Sequence, residues 1–158
     1  MIKIADLLTQ DRIGCDVAVS SKKRGLEVLS ELVAGEAAGL NAGAIFNKLI
    51  SREKLGSTGL GKGVALPHAR VEGSDTATAA FIKLPEGIDF DAFDRQPVDL
   101  LFALVVPEHF TDEHLQILAR LAEMFSDPEF CNRLREADSA SALHDLLTAW
   151  NGDQAADG

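Results

Sequence analysis

The sequence is poor in cysteine, in basic residues and in long apolar runs, and each shortage removes a class of protein. Its two cysteines, Cys15 and Cys131, lie far apart and show no CxxC spacing. They supply neither a disulfide framework nor a cysteine metal cage, and they suit a reducing, cytoplasmic setting. Lys and Arg number 15 against 25 Asp and Glu, a formal charge of −10. Phosphate backbones select basic surfaces, so a general nucleic-acid binder is excluded and partners with positive patches are favoured. No apolar run approaches the ~20 residues that span a bilayer, and Asp6 follows the start too closely for a signal peptide. Membrane insertion is not expected. Internal repeats and low-complexity tracts are also missing.

What remains is a globular composition, 46% hydrophobic over 158 residues. It suits one domain over residues 1–150 that buries roughly 70% of its unfolded surface, followed by a flexible tail at 151–158. Ile13, Cys15, Val17 and Val19 alternate as in a half-buried strand. Ser20 or Ser21 then caps a helix to about Val33, with Leu26, Leu29 and Val33 on one face and Gly35 as its stop. Its first turn holds Lys22, Lys23 and Arg24, where the helix dipole disfavours cations. A solvated basic face and an anion-facing cluster are both open readings.

Asn41 caps a second helix through about Leu55, ended by Gly56. Arg52 shares its apolar face with Ile45 and Leu49, which places a guanidinium where it needs an anion, a structural carboxylate or a ligand. Thr76–Leu84 reads as a strand closed by Pro85, and Val98–Val106 as a central strand buried on both faces and closed by Pro107. Between them Ile88, Phe90 and Phe93 are expected to anchor a loop whose Asp89, Asp91 and Asp94 are solvated. Thr111 caps a helix carrying His114, Leu118, Leu121, Ala122 and Phe125 on one face. Asp127-Pro128 opens another helix and Ser139 or Ser141 the last, on which His144 is expected at the surface. Strands and helices that mix without strict alternation predict an α/β sandwich with a mixed sheet.

The chemistry concentrates in Gly56-Ser57-Thr58-Gly59-Leu60-Gly61-Lys62-Gly63, followed by Val64-Ala65-Leu66-Pro67-His68. The glycines allow close approach of backbone to a ligand, Val64-Ala65-Leu66 reads as a short strand, and Pro67 ends it, so that His68 emerges at a strand end. A phosphate-binding loop of the NTPase kind fails here. Gly63 stands where a Mg²⁺-holding hydroxyl belongs, and the helix precedes the loop. Glu108, His109, Glu113 and His114 lack the same-face spacing of a zinc helix, so no metal or other cofactor is expected. His68 is left as a candidate nucleophile toward phosphorus. Candidate donors to the phosphoryl oxygens are the loop amides, the hydroxyls of Ser57 or Thr58, Arg52, and His114 near a positive helix end. A structural Pro-His pair stays open beside that reading.

Glu53, Leu60, Gly61, Val64, Ala65, Leu66, Pro67, His68 and Ala69 fill the phosphorylation signature of a known family. In them the chain resembles the IIA proteins of the bacterial phosphotransferase system, of the mannitol, fructose and nitrogen-regulatory class. Ser21-Lys22-Lys23-Arg24, Ser51-Arg52-Glu53-Lys54 and Gln96–Pro107 resemble the nitrogen-regulatory member. The resemblance implies a mixed sheet flanked by helices, and it implies that His68 accepts a phosphoryl group from a histidine phosphocarrier protein of the HPr or NPr kind. It further implies that His114 is the second active-site histidine and Arg52 the active-site arginine. Without a IIB cysteine motif or membrane domain in the sequence, regulation of protein targets by phosphorylation state is favoured. Transfer to a separate sugar-specific IIB, and a non-catalytic interaction domain, are the alternatives.

Overall fold

A computed structural model describes residues 3–35, 40–73 and 75–150, so the segment read as a tail lies outside the described residues. The order is α1 (Ile4–Leu7), a 3₁₀ turn (Gln10–Arg12), β1 (Ile13–Gly14), α2 (Lys22–Ala34), α3 (Ala42–Lys54), β2 (Gly59–Gly61), β3 (Val64–Ala65) and β4 (His68–Val71). There follow β5 (Thr78–Ile88), β6 (Val98–Pro107), α4 (Asp112–Phe125), α5 (Pro128–Glu136) and α6 (Ala140–Ala149).

The nearly unbroken apolar run of β6 makes it the centre of a six-stranded mixed sheet, ordered β1-β5-β6-β3-β2 with β4 also on β6. It is antiparallel to β5 and parallel to β3 and β4. Its side chains alternate between two cores. Leu100, Phe102, Leu104 and Val106 join α1, α4, α5 and α6 on one face, whereas Leu101, Ala103 and Val105 meet α2 and α3 on the other. In the first core the ring of Phe125 stacks on Phe81 and meets Phe102 edge-on, with centroids 6.3 and 5.8 Å apart.

Helix starts follow the side-chain oxygens. Ser21 accepts from Arg24 N–H, Asn41 from Ala44 N–H, Asp127 from Glu129 N–H and Ser139 from Ala142 N–H, each at 2.9–3.1 Å. Thr111 occupies the corresponding position of α4 without making such a bond.

Several strand expectations are corrected. Asp16 turns into the left-handed region at φ 54°, so the Ile13–Val19 alternation yields only a two-residue strand. A single bond from Val17 N–H to the Lys83 carbonyl, 3.0 Å, then keeps the chain at the edge of β5. Pro85 does not end β5. Pairing with β6 shifts register between Lys83 and Ile88, and within that irregular stretch the missing N–H of proline leaves no ladder bond unmade. The glycine stretch contains a hairpin, because Lys62 and Gly63 both take positive φ, 58° and 84°, and fold β2 back on β3. His68 opens β4 in place of trailing a strand. Phe93 is 80% exposed and lies outside the core, while His144 is half-buried, 3.3 Å from the Leu8 carbonyl.

Phe102 is fully buried among the aromatic rings of the first core. Phe102→Ala is expected to lower unfolding stability by about 3–5 kcal/mol, read as a reduced urea midpoint at unchanged m-value.

Candidate active site

Pro67 separates two strands that both lie along β6. Without an N–H it cannot continue the ladder of β3, and its own carbonyl accepts from Leu104 N–H at 2.9 Å. The next residue, His68, then starts β4 opposite Leu104. Its ring turns back so that Nδ1 lies 2.9 Å from the Leu66 carbonyl. A carbonyl oxygen only accepts, so in the neutral ring the hydrogen sits on Nδ1 and the lone pair on Nε2.

α4 brings His114 to the same place. The two imidazoles meet edge to face with centroids 5.5 Å apart. Nε2 of His114 is buried and has no hydrogen-bond partner among the described residues. Arg52 arrives from the last turn of α3, where its Nη1 donates to the Gly56 carbonyl at 2.9 Å. All three line one cavity of about 920 Å³.

Lys48 and Arg70 also line that cavity, against a single carboxylate, Glu108. The wall is cationic in a protein of charge −10. Neither residue stood out in sequence, although spacing could have found both. Lys48 precedes Arg52 by one helical turn, and Arg70 follows His68 by two residues along a strand, hence on the same side.

Ser57 and Thr58 line a smaller cavity of about 370 Å³, which also touches Arg52 and His68. Their hydroxyl hydrogens are engaged within the protein. Ser57 donates to the Phe90 carbonyl at 2.8 Å, and the buried Thr58 donates to the carboxylate of Glu53. Glu53 also takes Thr58 N–H at 3.1 Å and the Lys22 ammonium at 3.0 Å. The basic start of α2 therefore does face an anion through Lys22, which lies 4.7 Å from the Phe90 ring centroid as well. Arg24 pairs within its own helix with Glu27 and Glu31.

Burial holds the proton affinity of His68 below the ordinary histidine value. The nearby Arg52 charge acts the same way, while the Leu66 hydrogen bond and Glu53 oppose both. His114 is pushed down to about 4, first by burial and then by the charges of His68 and Arg70. At neutral pH both rings are neutral, and a neutral Nε2 is what a nucleophile requires. Among the described residues, no three His, Cys, Asp or Glu side chains stand together as metal ligands, and no helix is long and apolar enough to cross a membrane.

Comparison with known proteins places the chain in a family. Residues 6–150 match the family described as "Phosphoenolpyruvate-dependent sugar phosphotransferase system, EIIA 2". The chain belongs to that family. It is 45% identical over 147 residues to a nitrogen regulatory protein of Pseudomonas aeruginosa, covering 93% of this chain and 96% of the relative. The crystal structure of nitrogen regulatory protein IIA-Ntr from Neisseria meningitidis superposes with a TM-score of 0.86 at 44% identity, over 92% of this chain and 99% of that one. Mannitol IIA of Escherichia coli shares the fold, with a TM-score of 0.73 at 23% identity over 89% and 98% of the two chains. The expected mixed sheet flanked by helices is thus the EIIA fold.

The depressed histidines of this EIIA protein set a pH dependence. Between the ordinary value of 6.5 and about 4 the unfolded chain binds protons that the folded His114 refuses, and His68 adds in the same direction. The stability they contribute is complete above pH 6.5 and declines on acidification. Urea unfolding across that interval should show a falling free energy, and His114→Gln should flatten part of the slope.

Proposed function

We propose that this chain is a phosphohistidine-carrying regulator that accepts a phosphoryl group on Nε2 of His68 from a histidine phosphocarrier protein. The observation that carries the reading is the pairing of a neutral His68, its Nδ1–H tied to the Leu66 carbonyl, with His114 in a cationic cavity. In the transfer, the Nε2 lone pair attacks phosphorus in line. The new N–P bond forms as the donor's N–P bond breaks, and that electron pair returns to the donor imidazole.

The protein's share of the work is positioning and charge. Arg52, held here at the Gly56 carbonyl, lines the cavity beside His68 and is the guanidinium available to the phosphoryl oxygens, and Lys48 and Arg70 balance charge from the same wall. His114 supplies a nitrogen that has no partner among the described residues, and it orients the adduct. Ser57 and Thr58 contribute through their neighbouring cavity, and the hydrogens they hold elsewhere limit them to loop support unless those bonds exchange. No cofactor takes part.

The likeness to nitrogen regulatory proteins favours control of protein targets by phosphorylation state. A second reading, onward transfer to a sugar-specific IIB, is favoured by the family's description as a sugar system. A IIB that discharges the phosphorylated protein at a rate comparable to its charging would select the second.

Incubation with phosphoenolpyruvate, the first enzyme of the system and a phosphocarrier should label the wild type and leave His68→Ala unlabelled. Label that persists in the variant overturns the assignment. His114→Ala should keep the fold and slow transfer by about 10²-fold, measured by quench-flow; an unchanged rate and adduct lifetime would remove it from the site.

A further inference from the structure

Glu53 is not among the residues that line the His68 cavity, yet it is only 8% exposed and carries a carboxyl group. A buried carboxylate persists only when its lone pairs are used. Here Thr58 N–H, the Thr58 hydroxyl and the Lys22 ammonium use them. The same Thr58 continues the chain of bonds, since its carbonyl accepts from Leu66 N–H at 3.0 Å. The Leu66 carbonyl in turn accepts from Nδ1 of His68 at 2.9 Å. A line of hydrogen bonds thus runs from Lys22 on α2, through Glu53 on α3 and the backbones of Thr58 and Leu66, to the His68 imidazole.

We propose that Glu53, held by Lys22, is the positioning residue of this EIIA site: it fixes Thr58 and Leu66 so that the Leu66 carbonyl selects the Nδ1–H tautomer of His68 and leaves Nε2 free and aimed. The reasons are geometric. Leu66 lies between β3 and β4, at the Pro67 interruption, so its carbonyl is not pinned by the sheet on both sides. Its N–H bond to Thr58 extends the β2–β3 pairing by one rung, and Thr58 is itself fixed by the carboxylate at the end of α3. Loss of that anchor frees the acceptor that chooses the tautomer. A ring with hydrogen on Nε2 has no lone pair there and cannot attack phosphorus through that nitrogen.

Glu53 also acts on His68 as a charge, favouring the protonated ring against Arg52. The other ionisable groups that line the cavity with His68, namely Lys48 on α3, Arg70 on β4, Glu108 and His109 after β6 and His114 on α4, are untouched by substitution at Glu53.

The test is imidazole ¹⁵N NMR on the full chain, with quench-flow phosphorylation alongside. Wild-type His68 should show the Nδ1–H tautomer. Glu53→Gln keeps the shape but loses the Lys22 pair and one acceptor oxygen. It should give a tautomer mixture, a lower titration midpoint for His68 and a transfer rate reduced by about 10- to 100-fold. Glu53→Asp should recover part of each. Tautomer, midpoint and rate all equal to wild type in Glu53→Gln would overturn the proposal. Should that variant not fold, Lys22→Met reads the same chain with opposite sign. It leaves the Glu53 charge unbalanced, so the His68 midpoint should rise, and an unmoved midpoint overturns the proposal.

The inference rests on the proposed phosphoryl chemistry only for its rate. Tautomer and midpoint are read without any donor, so a wild type that no carrier phosphorylates would defeat the functional reading and leave these outcomes standing or falling alone.

Discussion

Every backbone polar group of β6 must find its partner in the sheet, because both faces of the strand are buried. One edge is satisfied by β5. The other is shared between two short strands, β3 and β4, that cannot be continuous because Pro67 stands between them. The interruption positions His68. It detaches the Leu66 carbonyl from the ladder, and it makes His68 the first residue of a new strand whose ring can reach back to that carbonyl. A continuous strand would have left the imidazole standing off the sheet with no second bond to orient it.

The site is assembled from both sides of the sheet. Arg52 and Lys48 come from α3, which packs with α2 on one core, whereas His114 comes from α4, which packs on the other. Such a site is complete only when both cores are folded. It ties the integrity of two separate packing faces to the presentation of one nitrogen.

Helix starts and the central strand were legible in the sequence, because each depends on side chains within a few residues. Ser21, Asn41, Asp127 and Ser139 cap locally, and the apolar run of β6 needs no other information. Strand lengths were not legible. Asp16 leaves β geometry at a residue whose type permits either conformation, and Pro85 is tolerated because it falls within the register shift between Lys83 and Ile88, where its nitrogen is unneeded. Within the site, His68, His114 and Arg52 followed from motif and helical spacing, and they do line one cavity. What the sequence hid were tertiary commitments. The hydroxyl hydrogen of Thr58 is taken by a buried carboxylate five residues away, and Lys22, which sits against its helix dipole, is balanced by that same group.

The cationic wall of the cavity has a consequence for range. Lys48, Arg52 and Arg70 against Glu108 give three positive charges and one negative, a local excess of two. A phosphoryl group on His68 would bring about −1.5 to −2. The sum is near zero. Modification would then erase a positive spot on an acidic protein, with little change in the field beyond a Debye length of about 8 Å. Distance would conceal the modified state, and only a surface pressed against the cavity mouth would register the difference.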